Sequence, residues 1–189
     1  MILSDGEIKK ALASGELEIT GYDPLHIGSC SVDMHLDNKA MVLDSEKMDP
    51  VKNPDSQGYL RVDQKTRSAD KFTRYDGWEE ITIYPGEFYI LSSAERFKFS
   101  DSIVGFIQGR SSIARMGINI HAAGFFDVGF EGTATLEVTN FTKYPIVIPK
   151  HTRICQMVFV PITQVDFEIV ADFKTSHRGA GGFGHTGKK

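Results

Sequence analysis

The stretch GRSSIARMG, residues 109–117, holds the residue types that bind phosphate groups. Arg110 and Arg115 carry planar guanidinium donors that match the geometry of phosphate oxygens. Because the stretch can form roughly two helical turns, Ser111 and Ser112 are expected at a helix N-terminus, which attracts anions through its unpaired donors. An ordinary serine cap beside two surface arginines is the alternative interpretation.

Asp127 is the first of two carboxylates that could move protons at such a site. It lies in HAAGFFDVGFEG (121–132), where Gly124 and the other glycines around Phe125 and Phe126 predict a hairpin whose backbone can approach a flat ligand closely. Asp127 could then act as a base or orient a metal ion. A turn aspartate that caps its own backbone is the alternative.

Glu137 is the second carboxylate, and its segment, TATLEVTNF (133–141), alternates like a half-buried strand. Ala134, Leu136 and Val138 share one face, whereas Glu137 lies on the other face among threonines. A glutamate on such a face is commonly just solvated. If another subunit covered that face, burial would favour the protonated form and make Glu137 a competent proton carrier.

Polar residues also interrupt two apolar strands, and glycines fill the end of the sequence. Asp33 in SVDMHL and Gln156 in RICQMVF could bind a ligand or simply satisfy buried backbone groups. The stretch HRGAGGFGHTG (177–187) has five glycines in eleven residues, together with Arg178 and Phe183. It is either a frayed tail or a flap that closes over a negatively charged ligand.

The elements that must position these residues are short and mostly extended. Ser4 and Glu7 have capping-box spacing, which predicts a helix over 4–15 that stops at Gly15. Period-two patterns predict strands at 31–36, 79–84, 87–91, 103–107, 133–141, 144–148, 153–160 and 165–170. Residues 44–77 are polar and predict a long surface excursion. Many short strands without alternating helices indicate a mainly β fold, an antiparallel β-barrel or jelly-roll-like sandwich.

Composition limits the class of protein. With 189 residues, 41% hydrophobic and 24% charged, the chain is expected to form one ordinary globular domain. A net charge of −4 disfavours nucleic acid held by bulk charge, and no apolar run reaches the length of a membrane span. Two distant cysteines, Cys30 and Cys155, predict neither a disulfide framework nor a structural zinc site. We therefore expect a cytoplasmic protein without nucleic-acid or membrane partners.

Two familiar motifs of nucleotide chemistry are missing from the sequence. It has no HxE with PCxxC, the zinc signature of the known nucleobase deaminases, and no GxxxxGK[ST] phosphate loop. No dedicated cation site is recognisable either. Chemistry on a nucleotide would therefore have to use carboxylates, arginines and Mg²⁺ carried by the phosphates.

Taken together, these stretches resemble the superfamily of dCTP deaminases and dUTP diphosphatases over nearly the whole chain. Similarity to the deaminase branch is carried by MILSDGEIKKAL, GSCSVDMHL, YPGEFYILSSAERF, GRSSIARMG and GFEGTATLEVTN. AGFFDVGFEG looks like the uracil-binding hairpin shared with the diphosphatases, and RGAGGFGHTG resembles the Gly-rich fifth motif of trimeric dUTP diphosphatases. Departures from these motifs at Gln108, Val128, Phe130 and His185 make a deaminase without diphosphatase activity less expected.

The resemblance implies a homotrimer of distorted β-barrels with active sites between subunits. By position, Glu137 matches the general base that activates a water to attack C4 of cytosine. Asp127 matches the carboxylate that activates the water attacking the α-phosphorus. Residues that match positions around the water, phosphates, sugar and base are Ser111, Arg115, Arg110, Ser112, Asp33, Gln156 and the hairpin residues Gly124, Phe125 and Phe126.

The resemblance also divides the chain and suggests its activity. Residues 1–176 would form the barrel, and 177–189 a flexible flap, disordered without ligand, in which Arg178 meets the γ-phosphate and Phe183 stacks over the base. The expected reaction takes dCTP to dUMP with release of ammonia and diphosphate, with Mg²⁺ on the triphosphate and dTTP a candidate inhibitor. A dUTP diphosphatase alone, a dCTP deaminase that releases dUTP, and a trimeric binding or regulatory module are the alternatives.

Overall fold

The chain opens with the helix that the capping-box spacing predicts. α1 spans Asp5–Ser14, and the Glu7 carboxylate accepts the backbone N–H of Ser4 at 2.8 Å. The Ser4 hydroxyl in turn accepts the backbone N–H of Glu7 at 3.4 Å. Gly15 ends the helix at φ 80°, a left-handed conformation that glycine adopts without strain. Ile8 is fully buried, so α1 packs one face against the core.

The computed structural model describes residues 1–49, 51–52, 72–121 and 123–163. The strands in these ranges are β1 (Leu17–Thr20), β2 (Val32–Leu43), β3 (Phe72–Asp76), β4 (Glu80–Ile83), β5 (Phe88–Phe99), β6 (Ile103–Gly109), β7 (Ile118–His121), β8 (Phe125–Phe126), β9 (Glu131–Asn140), β10 (Ile146–Pro149) and β11 (Arg153–Pro161). Besides α1, the helices are α2 (Ser45–Met48), α3 (Ser111–Ala114) and a 3-10 turn (Pro24–His26). None of these helices is long and apolar enough to cross a membrane.

Nine of the strands form one antiparallel sheet that curls into a half-barrel. Along the sheet the order is β7, β9, β5, β2, β11, β6 and β8, while β1 also pairs with β5 and β3 with β2. β4 and β10 form a separate antiparallel pair. The predicted mainly β fold is confirmed. The order also brings β2, β11, β6 and β8 side by side, and these strands carry Asp33, Gln156 and the FF hairpin.

Phenylalanine rings fill the centre of the core. The ring centroid of Phe99 lies 6.2 Å from that of Phe97 and 5.8 Å from that of Phe159. Gly105 on β6 makes room for this cluster, because a Cβ there would lie 2.8 Å from the Phe99 ring and from Sδ of Met157. β6 is therefore held tightly against the core just before it reaches the GRSS turn.

Residues 44–77 are not simply the surface excursion that their polarity predicts. α2 follows β2 directly, and β3 returns to pair with β2, with Phe72 opposite Leu43 and Asp76 opposite Lys39. The alternating pattern of this short strand is hidden in the sequence because an edge strand needs few apolar residues. The predicted strand at 165–170 and the predicted flap at 177–189 lie outside the described residues.

Candidate active site

A row of polar side chains crosses three neighbouring strands on the face that points away from the core. Gln156 of β11 lies opposite Asp33 of β2 on one side and opposite Gln108 of β6 on the other. Residues that are directly opposite share a face of the sheet, so the three side chains are neighbours. The hydroxyl of Ser31 donates to Gln156 Oε1 at 2.8 Å and fixes that amide. The structure therefore brings the predicted residues Asp33 and Gln156 together.

Asp33 links this row to the GRSS stretch. Its Oδ2 atom forms an ion pair with Arg110 and a second one with Arg153, whose Nη1 lies 3.3 Å away. The Asp33 side chain is 15% exposed, so the carboxylate is largely withdrawn from water. The sequence analysis did not single out Arg153. The feature that could have indicated it is its position as a basic residue directly before the apolar run that contains Gln156.

The strand that carries Asp33 is anchored by hydrogen bonds to a buried glutamate. Glu95 is fully buried, and its carboxylate accepts the backbone N–H of His35 at 2.9 Å and contacts His35 Nδ1 at 2.5 Å. Asp33 and His35 lie on the same side of β2, two residues apart. These bonds hold β2 in place beside the site, and the apolar appearance of SVDMHL gave no indication of them.

The GRSS stretch forms a shorter helix than its sequence predicts. α3 is a single turn capped by Arg110, without a side-chain capping bond, so neither serine is the N-cap. After Arg115 the chain reaches Gly117, whose φ of 84° and close approach to the Thr142 side chain end the turn. A single turn has a weak dipole, since the effect sums over aligned peptide units. A helix end therefore offers little to an anion here, and the donors that this turn presents are its guanidinium and hydroxyl groups.

Ser111, Ser112 and Arg115 are exposed on this turn, where a ligand can reach them. α3 contacts β7, and β7 pairs with β9 so that His121 lies opposite Glu137. β7 thus contacts the GRSS turn and also pairs with the strand that carries Glu137.

Glu137 lies on the half-buried face of β9, as the alternation predicts. Its neighbours Leu136 and Val138 are buried on the opposite face. Glu137 Oε2 accepts the backbone N–H of Ala123 at 2.8 Å. Since Ala123 begins the segment that leads through β8 to Asp127, this bond ties one predicted catalytic carboxylate to the hairpin that carries the other.

The FF hairpin presents one phenylalanine ring, not two. Phe125 is 51% exposed and makes an edge-to-face contact with Phe106, with 5.0 Å between centroids. Phe126 is only 8% exposed and packs on Phe130, so its ring is a core side chain and only its backbone is placed to approach a ligand. The reason is strand geometry, because consecutive residues in β8 face opposite sides.

The backbone of the hairpin lies close to β6. The Gly124 carbonyl accepts the backbone N–H of Ile107 at 2.8 Å, and a Cβ at Gly124 would lie 3.4 Å from the Ile107 Cβ. Asp127 is exposed at the following turn, where its carbonyl accepts the N–H of Phe130 at 3.2 Å. Asp127 therefore lies in a turn, with its side chain on the surface. Arg178 and Phe183 lie outside the described residues.

The two cysteines have opposite environments, which gives a simple test of the packing around Gln156. Cys155 is fully buried, and burial, helped by the nearby carboxylates Glu95 and Asp33, raises the pKa of its thiol. Cys30 is exposed. We expect a thiol reagent at pH 8 to modify one cysteine of the native protein and both after denaturation. Rapid modification of both thiols in the native state would show that β11 is not packed as described.

Similarity to known proteins agrees with this arrangement. The dCTP deaminase-like family model matches residues 2–162. The chain is 33% identical over 165 residues to a Hydrogenobaculum sp. protein named dCTP deaminase, dUMP-forming, covering 87% of this chain and 85% of the relative. It is 36% identical over 170 residues to a protein of the same name from Methanosphaera stadtmanae, covering 86% and 80% respectively.

A solved structure shows the same fold. The crystal structure of 2'-deoxycytidine 5'-triphosphate deaminase from Agrobacterium tumefaciens aligns with a TM-score of 0.61 and 21% identity, over 84% of this chain and 47% of that chain. The family model spans far more than half of the present chain, and both relatives are more than 30% identical over most of their length. The chain therefore belongs to the dCTP deaminase-like family.

Proposed function

We propose that this chain is a bifunctional hydrolase that converts dCTP to dUMP with release of ammonia and diphosphate. The observation that carries the proposal is the 2.8 Å bond between Glu137 Oε2 and the Ala123 N–H. It places one carboxylate at the start of the hairpin that presents Phe125 and Asp127. Two acids that meet different ends of one nucleotide can serve two hydrolytic steps, and the two relatives named dUMP-forming support this function.

Glu137 is the base of the deamination step. The Ala123 N–H fixes one carboxylate oxygen, which leaves the other to take a proton from a water molecule. The water oxygen adds to C4 of cytosine, one of its protons passes to ring nitrogen N3 and the other to the amine, and the C4–N bond then breaks to release ammonia and leave the C4 carbonyl. The product of this step is dUTP, still bound at the same site.

Asp127 is the base of the hydrolytic step at the α-phosphorus. It takes a proton from a second water, which attacks the phosphorus as the bond to the bridging oxygen breaks and diphosphate leaves. Arg110 and Arg115 neutralise the charge that builds up on the phosphates. Among the described residues, no group of three His, Cys, Asp or Glu side chains is placed to hold a metal ion. In this proposal Mg²⁺ enters as part of the bound triphosphate.

Assembly completes the site in this proposal. Within one protomer the face of β9 that carries Glu137 is only half covered, and Thr135 and Thr139 share that face. A second and third copy in a homotrimer would cover it and exclude water from the reacting base. Gel filtration with light scattering measures this assembly directly, and a monomer at micromolar concentration would contradict it.

The function is tested by incubating the pure protein with dCTP or dUTP and Mg²⁺ and separating dUTP, dUMP, dCMP and diphosphate by chromatography. We expect dCTP to yield dUMP and dUTP to be hydrolysed as well. Accumulation of dUTP alone would identify a dCTP deaminase, and hydrolysis of dUTP without any turnover of dCTP a dUTP diphosphatase. No turnover of either nucleotide would favour the binding module. Adding dTTP to the same assay tests it as an inhibitor.

Removal of residues 177–189 tests the flap. Because Arg178 and Phe183 are proposed to meet the γ-phosphate and the base, the shortened protein should have a raised KM for both triphosphates and an unchanged oligomeric state. Steady-state kinetics and gel filtration measure the two properties. A variant with Arg178 and Phe183 both changed to alanine is the matched control of normal length. Unchanged kinetics in both proteins would contradict the flap and indicate a C-terminal tail that does not contact the substrate.

A further inference from the structure

Two arginines share one carboxylate at the edge of the site, and only one of them belongs to the GRSS stretch. The guanidinium groups of Arg110 and Arg153 converge on the same atom, Oδ2 of Asp33. One negative charge thus faces two positive charges, and the cluster of Asp33, Arg110 and Arg153 keeps an excess positive charge. Such an excess attracts an anion more strongly where water is partly excluded.

This cluster also has donors that lack acceptors. Nε of Arg110 is buried and has no hydrogen-bond partner among the described residues. A buried donor without a partner costs free energy, which an arriving anion can recover. The side chain of Arg153 is 47% exposed, so a ligand can reach its remaining donors. The cluster is therefore built to accept an oxyanion.

The strand register places Arg153 beside the GRSS turn. Cys155 lies opposite Gly109, the last residue of β6, and Arg153 lies opposite His35 of β2. β11 therefore extends past the end of β6 at the point where the chain turns into Arg110. An anion held by Arg110 is within reach of Arg153 from the neighbouring strand.

We propose that Arg153 is a further phosphate-binding arginine of the nucleotide site, in addition to Arg110, Arg115 and Arg178. The identity of its ligand, a nucleoside triphosphate, rests on the function proposed above. The competing explanation is that Arg153 only neutralises Asp33. Under that explanation Arg153 makes no contact with phosphate, and its partly exposed ion pair contributes little to stability, so both the fold and the affinity for substrate should survive its loss.

Kinetics of Arg153→Gln separate the two explanations. Loss of a charged contact to phosphate should raise KM for dCTP and dUTP by about tenfold while kcat changes by less than about threefold. Arg153→Lys keeps the positive charge but loses the planar guanidinium, so its KM should lie between those of the wild type and Arg153→Gln. Arg96→Gln is the matched control, because Arg96 is 54% exposed and pairs with Glu131 at 2.8 Å outside the cluster. KM values equal to those of the wild type and of this control would overturn the proposal.

Calorimetric binding of inorganic triphosphate with Mg²⁺ keeps this inference separate from the proposed reaction. We expect Arg153→Gln to bind it about tenfold more weakly than the wild type and Arg96→Gln. If the wild type turned over neither nucleotide, the proposed function would fail, while weaker triphosphate binding by Arg153→Gln would still support the role of Arg153. Equal binding by all three proteins, or no binding by the wild type, would overturn it. Thermal melting of each variant confirms that it is folded.

Discussion

Glu137→Gln is expected to reduce turnover of dCTP by about 10²–10⁴-fold, the range for loss of a general base, while dUTP is still hydrolysed to dUMP. Glutamine keeps the size of the side chain, and its amide oxygen can still accept the Ala123 N–H. It cannot take a proton from water at neutral pH. The change therefore removes the base for attack on C4 and leaves the machinery at the α-phosphorus in place.

Initial rates of ammonia release from dCTP and of diphosphate release from dUTP measure the two activities separately. The control is Glu131→Gln, at the start of the same strand, whose exposed carboxylate pairs with Arg96. Both rates should remain at the wild-type level in that variant. Equal loss of both activities in a folded Glu137→Gln protein would contradict the proposal that each carboxylate serves a different reaction.

Asp127→Asn should have the reverse effect. Formation of dUMP from either nucleotide is expected to fall by about 10²–10⁴-fold, because the water at the α-phosphorus loses its base. Ammonia release from dCTP should continue, so that dUTP accumulates in place of dUMP. Asp127 is exposed at a turn, and asparagine is well tolerated in turns, so the fold should be retained.

Asp101→Asn is the matched control for this change, since Asp101 is another exposed turn aspartate of the chain. It should alter neither rate. Chromatography of the products of dCTP gives the ratio of dUTP to dUMP directly. Continued formation of dUMP at the wild-type rate by Asp127→Asn would show that another group activates the second water.

Local patterns made part of this structure predictable from the sequence. The capping box at Ser4 and Glu7 defined α1 almost to the residue, because both halves of that interaction lie within one turn. The alternation in 133–141 placed Glu137 on the correct face of β9, because burial on the other face fixes the register. The glycines of the hairpin predict a close approach of its backbone to a flat ligand, and this stays a prediction.

Features that depend on pairing between distant strands could not be read in advance. Arg153 and Arg110 are 43 positions apart in the sequence, and only the register of β11 with β2 and β6 brings both to Asp33. The bond from Ala123 to Glu137 likewise depends on how β7 and β9 pair. The opposite orientations of Phe125 and Phe126 could not be assigned either, because a two-residue strand has no visible period.

Oxygen labelling tests most directly the claim that two waters act on one nucleotide. When the wild-type protein converts dCTP in H₂¹⁸O, mass spectrometry should find one labelled oxygen on the base and one on the phosphate of the same dUMP, with unlabelled diphosphate. Starting from dUTP, only the phosphate should be labelled. Label in the diphosphate, or dUMP from dCTP that lacks either labelled oxygen, would contradict attack at both C4 and the α-phosphorus.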